Sequence, residues 1–313
     1  MEKSKRNFLK LYFEKKLTNK KLNEKIKELT LPKELLKMKK DKKLKYFKIF
    51  FQLNNLNDER KINKSYIEYN YTQCQNVRNY MEDRVIVERF GDFYIFGVLD
   101  GHGGSNCVNY VKKNFTKELI INYYTYPDKN IEYIIQFTIY QLHYKFILNH
   151  EDGDLSGTTL CVIIFHNNKY YIVNLGDSKC IFISNKKIHY KTSDHTPSDV
   201  KERAMIESKG GYVENNRILG KWLNISRTIG DKHLAKLTSR RCDITIGNIK
   251  SLENMTILLT SDGMYEGQLF PEKMLKKIIN SKSTLKTKSN EICEYSKTYS
   301  TDNLSILILR FKR

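Results

Sequence analysis

Six aspartates stand in short motifs, most of them directly before or after an apolar run. The motifs are RNYMED at 78–83, LDGHGG at 99–104, LGDS at 175–178, IGD at 229–231, TSDG at 260–263 and STDN at 300–303. A strand that ends in Asp-Gly brings a carboxylate to its end and then turns sharply. Carboxylates that meet at one edge repel one another unless a cation compensates their charge. Oxygen ligands favour hard ions such as Mg²⁺ or Mn²⁺ over zinc, so the pattern predicts metal-assisted hydrolysis of a phosphate.

The motifs must be positioned by strands and helices, which the sequence pattern predicts. Strands are predicted at 65–70, 84–90, 93–99, 158–165, 169–174, 180–184, 255–260 and 305–311. Helices are predicted at 105–123, 130–150, 197–209, 271–281 and 285–299. These assignments follow from apolar residues that alternate or recur at helical spacing. Strands, two helices, more strands, then helices and a last strand give an α+β order and not an alternating βαβ order.

The chain of 313 residues carries a formal net charge of +20, and most of it lies near the N-terminus. Residues 1–64 hold 21 lysines and arginines against eight aspartates and glutamates, a net charge of +13. We therefore predict a basic, Lys-rich helical extension at 1–64 and a catalytic domain at 65–313. The extension either packs on the domain as amphipathic helices or serves as a docking arm for an acidic partner, a nuclear import signal or a nucleic-acid contact. Nucleic acid is disfavoured because no recognised binding module is visible.

Cysteine spacing and hydropathy indicate where the protein works. The six cysteines form no Cys-x-x-Cys pair, which is typical of reduced thiols in the cytosol or nucleus. A loop of the Cys-x5-Arg type is absent from the sequence, which argues against a phosphatase with a cysteine nucleophile. A helix needs about 18 apolar residues to span a bilayer, and no apolar stretch of the sequence approaches that length. The predicted location is cytoplasmic or nuclear, with no membrane association.

The six motifs, in this order, resemble those of the metal-dependent protein serine/threonine phosphatases of type 2C, the PPM family. The resemblance runs from about Tyr66 to Leu309. It implies a four-layer α/β/β/α sandwich, with two antiparallel sheets flanked by helices. It also implies hydrolysis of phosphoserine and phosphothreonine on protein substrates. In the family, two Mg²⁺ or Mn²⁺ ions bridge a water or hydroxide that attacks phosphorus.

The resemblance assigns the metal ligands by position. In this sequence they are Asp83 and Asp100 as bridging ligands, Gly101 through its backbone carbonyl, Asp262 and Asp302 on the other ion, and Glu82 acting through a metal-bound water. A weaker third ion would use Asp154 and Glu266, where the family usually has an aspartate at the second position. The motifs around Asp177 and Asp231 match family positions that are largely structural.

Two further positions imply contacts with the substrate. Arg78 matches the residue that holds the substrate phosphate, for which the planar fork of a guanidinium is suited. His102 matches the residue that donates a proton to the leaving oxygen, and an imidazole can do so near neutral pH. A phosphoprotein substrate is therefore expected. The enzyme is separately predicted to be a monomer. The alternative is a catalytically weak scaffold of the same fold that binds a signalling partner, but the complete set of metal ligands favours an active enzyme.

Overall fold

The computed structural model describes residues 67–151, 153–268 and 270–311. The predicted extension at 1–64 lies outside these residues, so its helical structure, its docking role and its partner stay predictions.

Fifteen strands run through the described part of the chain. They are β1 Ile67–Cys74, β2 Arg84–Phe90, β3 Phe93–Leu99, β4 Gly101–His102, β5 Gly157–Thr158, β6 Leu160–His166, β7 Lys169–Leu175, β8 Lys179–Ser184, β9 Lys187–Lys191, β10 Val213–Glu214, β11 Arg217–Ile218, β12 Ile229–Gly230, β13 Asp243–Asn248, β14 Thr256–Thr260 and β15 Leu304–Phe311. One five-stranded sheet has the order β1-β15-β14-β8-β9, and the other has the order β13-β7-β6-β3-β2. All pairings within both sheets are antiparallel.

The described residues contain five α-helices, four of which flank the two large sheets. They are α1 Asn106–Thr125, α2 Ile131–Asn149, α3 Val200–Ser208, α4 Glu272–Ile279 and α5 Leu285–Ser296. In the described ranges, none of these helices combines the length and the apolar character that crossing a bilayer demands.

Three apolar cores separate four layers. A first core packs one sheet against α1 and α2, and includes Phe93 and Phe115. A second core lies between the two sheets, and a third packs the other sheet against α4 and α5. Strand β14 contributes to two of these cores, because Leu259 faces the opposite sheet whereas Leu258 faces the helices. Burial on both faces explains why this strand reads as a continuous apolar run. The predicted α+β four-layer sandwich is confirmed.

The register of the strands brings Asp83, Asp100 and Asp262 to one end of the sandwich. In the β2–β3 pair Arg84 lies opposite Leu99, so Asp83 and Asp100 are neighbours just beyond the last pair. In the β8–β14 pair Lys179 lies opposite Thr260, and Asp262 follows two residues later. Because β3 and β7 each run antiparallel to β6, they end at the same side of the sheet.

The structure differs from the predicted elements mainly where the sequence is polar. Strand β13, which was not predicted, pairs with β7 at the sheet edge and consists only of exposed and partly buried residues. The hairpin of β10 and β11 was also missed, and its turn places Asn215 and Asn216 at positive φ, which asparagine tolerates. Helix α3 begins later than predicted, because the Asp199 carboxylate accepts hydrogen bonds from the backbone of Lys201 and Glu202.

Candidate metal and phosphate site

Three carboxylates meet at the end of the sandwich where the strands deliver their aspartates. One oxygen from each of Asp100, Asp177 and Asp262 lies within 4.8 Å of the others. Burial, followed by repulsion from Asp262, raises the pKa of both Asp100 and Asp177 well above the usual range. A group of acids at this spacing, all of them oxygen donors, fits a hard divalent cation whose charge would keep them ionised.

Asp83 lies beside this group and is 1% exposed. Its Oδ2 accepts a 2.7 Å hydrogen bond from the hydroxyl of Ser261. Burial is the main cause that raises the pKa of Asp83 to about 7; hydrogen bonds from Ser261 and Ser305 oppose the rise, and Asp262 and Asp302 add to it. Asp83 is therefore a second buried carboxylate position that a nearby cation would stabilise.

Asp302 is placed at the outer rim of the site, next to Arg78. The guanidinium of Arg78 donates to Oδ2 of Asp302 at 2.7 Å, and the Arg78 side chain is 51% exposed. Burial and the charge of Asp262 raise the pKa of Asp302 even though Arg78 opposes this. The structure thus presents a half-exposed guanidinium fork at the mouth of a carboxylate-lined site.

Gly101 lies on the segment between β3 and α1, and Glu82, two residues before β2, contacts that segment. The Glu82 side chain accepts a 2.6 Å hydrogen bond from the backbone N–H of Gly104. A Cβ at Gly101 would meet the carbonyl oxygen of Glu82 and the side chain of Val108. Only glycine lets these two segments approach so closely, and this explains the Asp-Gly sequence at this strand end.

His102 faces a carboxylate that the metal-ligand pattern did not include. Its Nε2 lies 3.0 Å and 2.9 Å from the two oxygens of Asp231, which is fully buried. Burial lowers the pKa of His102, but the charge and hydrogen bond of Asp231 outweigh it, so the net shift is upward.

Comparison with known proteins assigns this arrangement to a family. The family model of protein phosphatase 2C matches residues 67–305. The chain belongs to the protein phosphatase 2C family. A Paramecium tetraurelia protein named probable protein phosphatase 2C 4 is 34% identical over 233 residues, which cover 67% of this chain and 76% of that protein. An Arabidopsis thaliana protein named probable protein phosphatase 2C 17 is 28% identical over 79% of this chain and 89% of its own.

Solved structures support the fold. A phosphatase from a pathogenic strain of Toxoplasma gondii superposes with a TM-score of 0.70 at 18% identity, over 80% of this chain and 94% of that one. A serine-threonine phosphatase 2C from Toxoplasma gondii gives a TM-score of 0.67 at 18% identity, over 80% and 96% of the two chains. The resemblance inferred from the motifs is confirmed. Family membership indicates a protein serine/threonine phosphatase that uses divalent metal ions.

The carboxylates predicted for a third ion have other partners in this phosphatase. Asp154 accepts hydrogen bonds from the backbone of Ser156 and the amide of Asn106.

Glu266 accepts hydrogen bonds from the hydroxyl of Ser300 and from the backbone N–H groups of Thr301 and Asp302. In both groups burial opposes ionisation, but these hydrogen bonds outweigh it and lower the pKa. Glu266 thus fixes the turn that carries Asp302, and the third metal site stays a prediction.

Two site residues were assigned only a structural role from the sequence. Asp177 stands in one of the six motifs and follows the end of β7, as Asp100 follows the end of β3, so both carboxylates lie beyond strand ends. Asp231 also stands in one of the six motifs, but no local pattern indicates its partner. Its contact with His102 depends on the pairing of three two-residue strands that are distant in sequence.

The crowded carboxylates predict how pH affects the stability of the metal-free protein. An unfolded aspartate has a pKa of about 3.9, whereas the folded pKa of Asp83 is about 7. Between these values the folded state binds more protons than the unfolded state, so the free energy of unfolding falls as pH rises. Thermal melts in EDTA should show a falling melting temperature from about pH 4 to pH 7.

Added Mg²⁺ or Mn²⁺ is expected to reverse this trend, because a cation binds the ionised carboxylates more tightly as the pH rises. Melts at pH 5 and pH 8, with and without metal, check this directly. A metal-free protein whose melting temperature rises steadily over the same interval would contradict the predicted effect of the buried carboxylates.

Proposed function

We propose that this chain hydrolyses phosphoserine and phosphothreonine on protein substrates with two Mg²⁺ or Mn²⁺ ions. The observation that carries the proposal is the meeting of Asp100, Asp177 and Asp262 within 4.8 Å, with Asp83 and Asp302 beside them, in a chain of the phosphatase 2C family. Asp83, Asp100, Asp262 and Asp302 would hold the ions, and Asp177 would add a carboxylate near Asp100 and Asp262. When bound, such a pair supplies an activated water and offsets negative charge on the phosphate.

Two side chains of the protein act on the substrate itself in this proposal. Arg78, half exposed at the rim, orients two oxygens of the substrate phosphate through its planar fork. His102 donates a proton from its ring to the serine or threonine oxygen as the bond between phosphorus and that oxygen breaks. The group of Asp100, Asp177 and Asp262, together with the contact between Arg78 and Asp302, supports an active enzyme over a catalytically weak scaffold.

The proposal is tested with the full-length protein and a phosphothreonine peptide. Phosphate release is measured with Mn²⁺, with Mg²⁺, with Ca²⁺ and with EDTA. Release is expected with Mn²⁺ and Mg²⁺ and is lost in EDTA. Ca²⁺ should support it poorly, because its longer bonds and looser geometry suit a compact site less well. A folded protein that binds metal but releases no phosphate under any of these conditions would leave the scaffold as the better account.

Replacement of Arg78 by alanine should raise KM for the phosphopeptide by about 10- to 100-fold, with a smaller effect on kcat. A hydrogen bond to a charged group contributes about 1.5–3 kcal/mol, and this contact exists in the ground state as well as in the transition state. Steady-state kinetics measures the split between KM and kcat. Arg78→Lys should recover only part of the loss, because an ammonium cannot reproduce the fork.

Arg89 provides a matched control for this variant. Its side chain donates to the carbonyl of Gly91 in the β2–β3 turn, at the opposite end of these strands. Arg89→Ala should leave KM near the wild-type value. A metal titration of Arg78→Ala checks that its partner Asp302 is not the source of the change. Equal KM values for both arginine variants would show that Arg78 does not hold the phosphate.

A further inference from the structure

The contact between His102 and Asp231 is built by a small sheet of three two-residue strands. Strand β5 lies in the middle, with β4 on one side and β12 on the other. Gly157 pairs with His102 in one direction and with Gly230 in the other. Asp231 directly follows β12, so this register places its carboxylate beside the imidazole. The two residues are 129 positions apart in the chain, so tertiary pairing and not local sequence brings them together.

Several independent features hold the Asp231 carboxylate in place. Its Oδ2 accepts a 2.7 Å hydrogen bond from the hydroxyl of Thr228, and its backbone N–H donates to the carbonyl of Ser156 at 2.9 Å. The residue adopts φ 49° and ψ 53°, the left-handed conformation, which aspartate and asparagine adopt more readily than most residues. A Cβ on Gly157 would overlap both the Asp231 carboxylate and Nε2 of His102. The glycine therefore leaves the space in which the two side chains meet.

A carboxylate that faces one ring nitrogen decides which nitrogen carries a proton. An ionised carboxylate only accepts hydrogen bonds, so Nε2 of His102 must be the donor. The proton on Nε2 is then held in the hydrogen bond to Asp231, so Nδ1 is the nitrogen that can exchange a proton with a substrate. In the Ser-His-Asp triad, too, the aspartate binds one ring nitrogen and the other nitrogen exchanges a proton. Replacement of that aspartate by asparagine favours the wrong tautomer.

We propose that Asp231 is a positioning residue for His102: it fixes the ring and its tautomer so that Nδ1 serves the leaving oxygen. This inference rests on the proposed function, since it assigns the orientation of the proton donor in that reaction. Asp231 does not touch the substrate. It acts through His102, and Thr228 and Gly157 support it by a hydrogen bond and by leaving space.

Asp231→Asn is the variant of choice, because asparagine has nearly the same shape and tolerates the left-handed conformation. Its amide can donate to Nε2 and so favour the opposite tautomer. The kcat for a phosphothreonine peptide should fall at least about tenfold and by no more than in His102→Gln, since general acid catalysis contributes about 10²–10⁴-fold. KM should change little. Turnover of p-nitrophenyl phosphate, whose leaving group needs no proton, should fall far less.

Two comparisons separate positioning from a general loss of structure. Glu202→Gln removes the charge of another buried carboxylate, one bound to Ser226 and Arg227 rather than to His102, and should not distinguish between the two substrates. The double variant Asp231→Asn with His102→Gln should be no slower than His102→Gln alone, because the two residues act as one unit. Melting temperatures of all variants show which of them remain folded.

A readout that needs neither metal nor turnover is the ¹⁵N NMR spectrum of the histidine rings in the metal-free protein. The His102 signal, identified by its absence from His102→Gln, should show a proton on Nε2 in the wild type, and a different pattern in Asp231→Asn. A wild-type ring protonated only at Nδ1 would overturn the inference. So would an active wild type whose Asp231→Asn variant loses turnover of both substrates equally, or loses turnover of neither. A wild type inactive on every substrate would instead defeat the proposed function, and the assignment of a role to Asp231 would fall with it.

Discussion

Replacement of Asp262 by alanine is expected to lower metal-dependent turnover of a phosphopeptide by about 10²–10⁴-fold. Bound metal contributes several kcal/mol to transition-state stabilisation, and each 1.4 kcal/mol is a factor of ten in rate. Asp262 belongs to the group of three carboxylates within 4.8 Å, and its charge raises the pKa of Asp83, Asp100, Asp177 and Asp302. Its removal therefore changes the electrostatic environment of all four of these acids.

The same variant has an expected effect on stability in the opposite direction. In EDTA its melting temperature should equal or exceed that of the wild type, because one of the mutually repelling carboxylates is gone. Adding Mn²⁺ should raise the melting temperature less than in the wild type, because the folded variant binds the ion less tightly. Loss of activity with a stable fold and a lost metal response would separate ligand removal from unfolding.

Asp92→Ala is the matched control for this experiment. Asp92 lies in the turn between β2 and β3, whereas the acidic site lies at the other end of these seven-residue strands. At about 3.3 Å per residue the two positions are roughly 20 Å apart. This variant should keep both turnover and the metal response. If Asp262→Ala retained near-normal activity while Asp92→Ala behaved in the same way, the assignment of Asp262 as a metal ligand would be wrong.

Replacement of His102 by glutamine should lower kcat for a phosphothreonine peptide by about 10²–10⁴-fold, which is the usual contribution of general acid catalysis. The leaving alkoxide of threonine is a strong base and needs a proton, whereas nitrophenolate leaves without one. The loss should therefore be much smaller for p-nitrophenyl phosphate. Parallel kinetics on the two substrates measures the difference, and KM for the peptide should stay close to the wild-type value.

His189→Gln tests whether any histidine substitution has this effect. His189 is exposed on the edge strand β9, where its Nε2 contacts the hydroxyl of Ser184. Turnover of both substrates should be unchanged in this variant. Equal losses on peptide and nitrophenyl ester in His102→Gln would argue that His102 supports the structure of the site and does not donate the proton.

The sequence by itself determined the family, the order of the layers and the ends of the central strands. Strands β2 and β3 lie at 84–90 and 93–99 as predicted, because each is a clear apolar run bounded by turn residues. Once these strands pair as a tight hairpin, Asp83 and Asp100 must lie side by side. The juxtaposition of these two acids is thus a local consequence of the chain, and pattern reasoning was able to find it.

The tertiary structure alone decided what the acids do beyond that hairpin. Asp177 joins Asp100 and Asp262 because β7 and β8 belong to different sheets that face each other across one core, and no local pattern specifies which loops then meet. Glu266 keeps the length to reach a cation, yet in the fold its carboxylate is held by the turn at 300–302.

Asp231 shows the physical reason for this division most clearly. A strand of two residues is too short to show an alternating pattern in the sequence, even where both residues are buried, as in β5 and β12. Their register is set by the surrounding sandwich, and by the space that Gly157 leaves between His102 and Asp231. Local patterns fix the strands that carry the chemistry, whereas contacts between residues 129 positions apart exist only when the whole fold has closed around them.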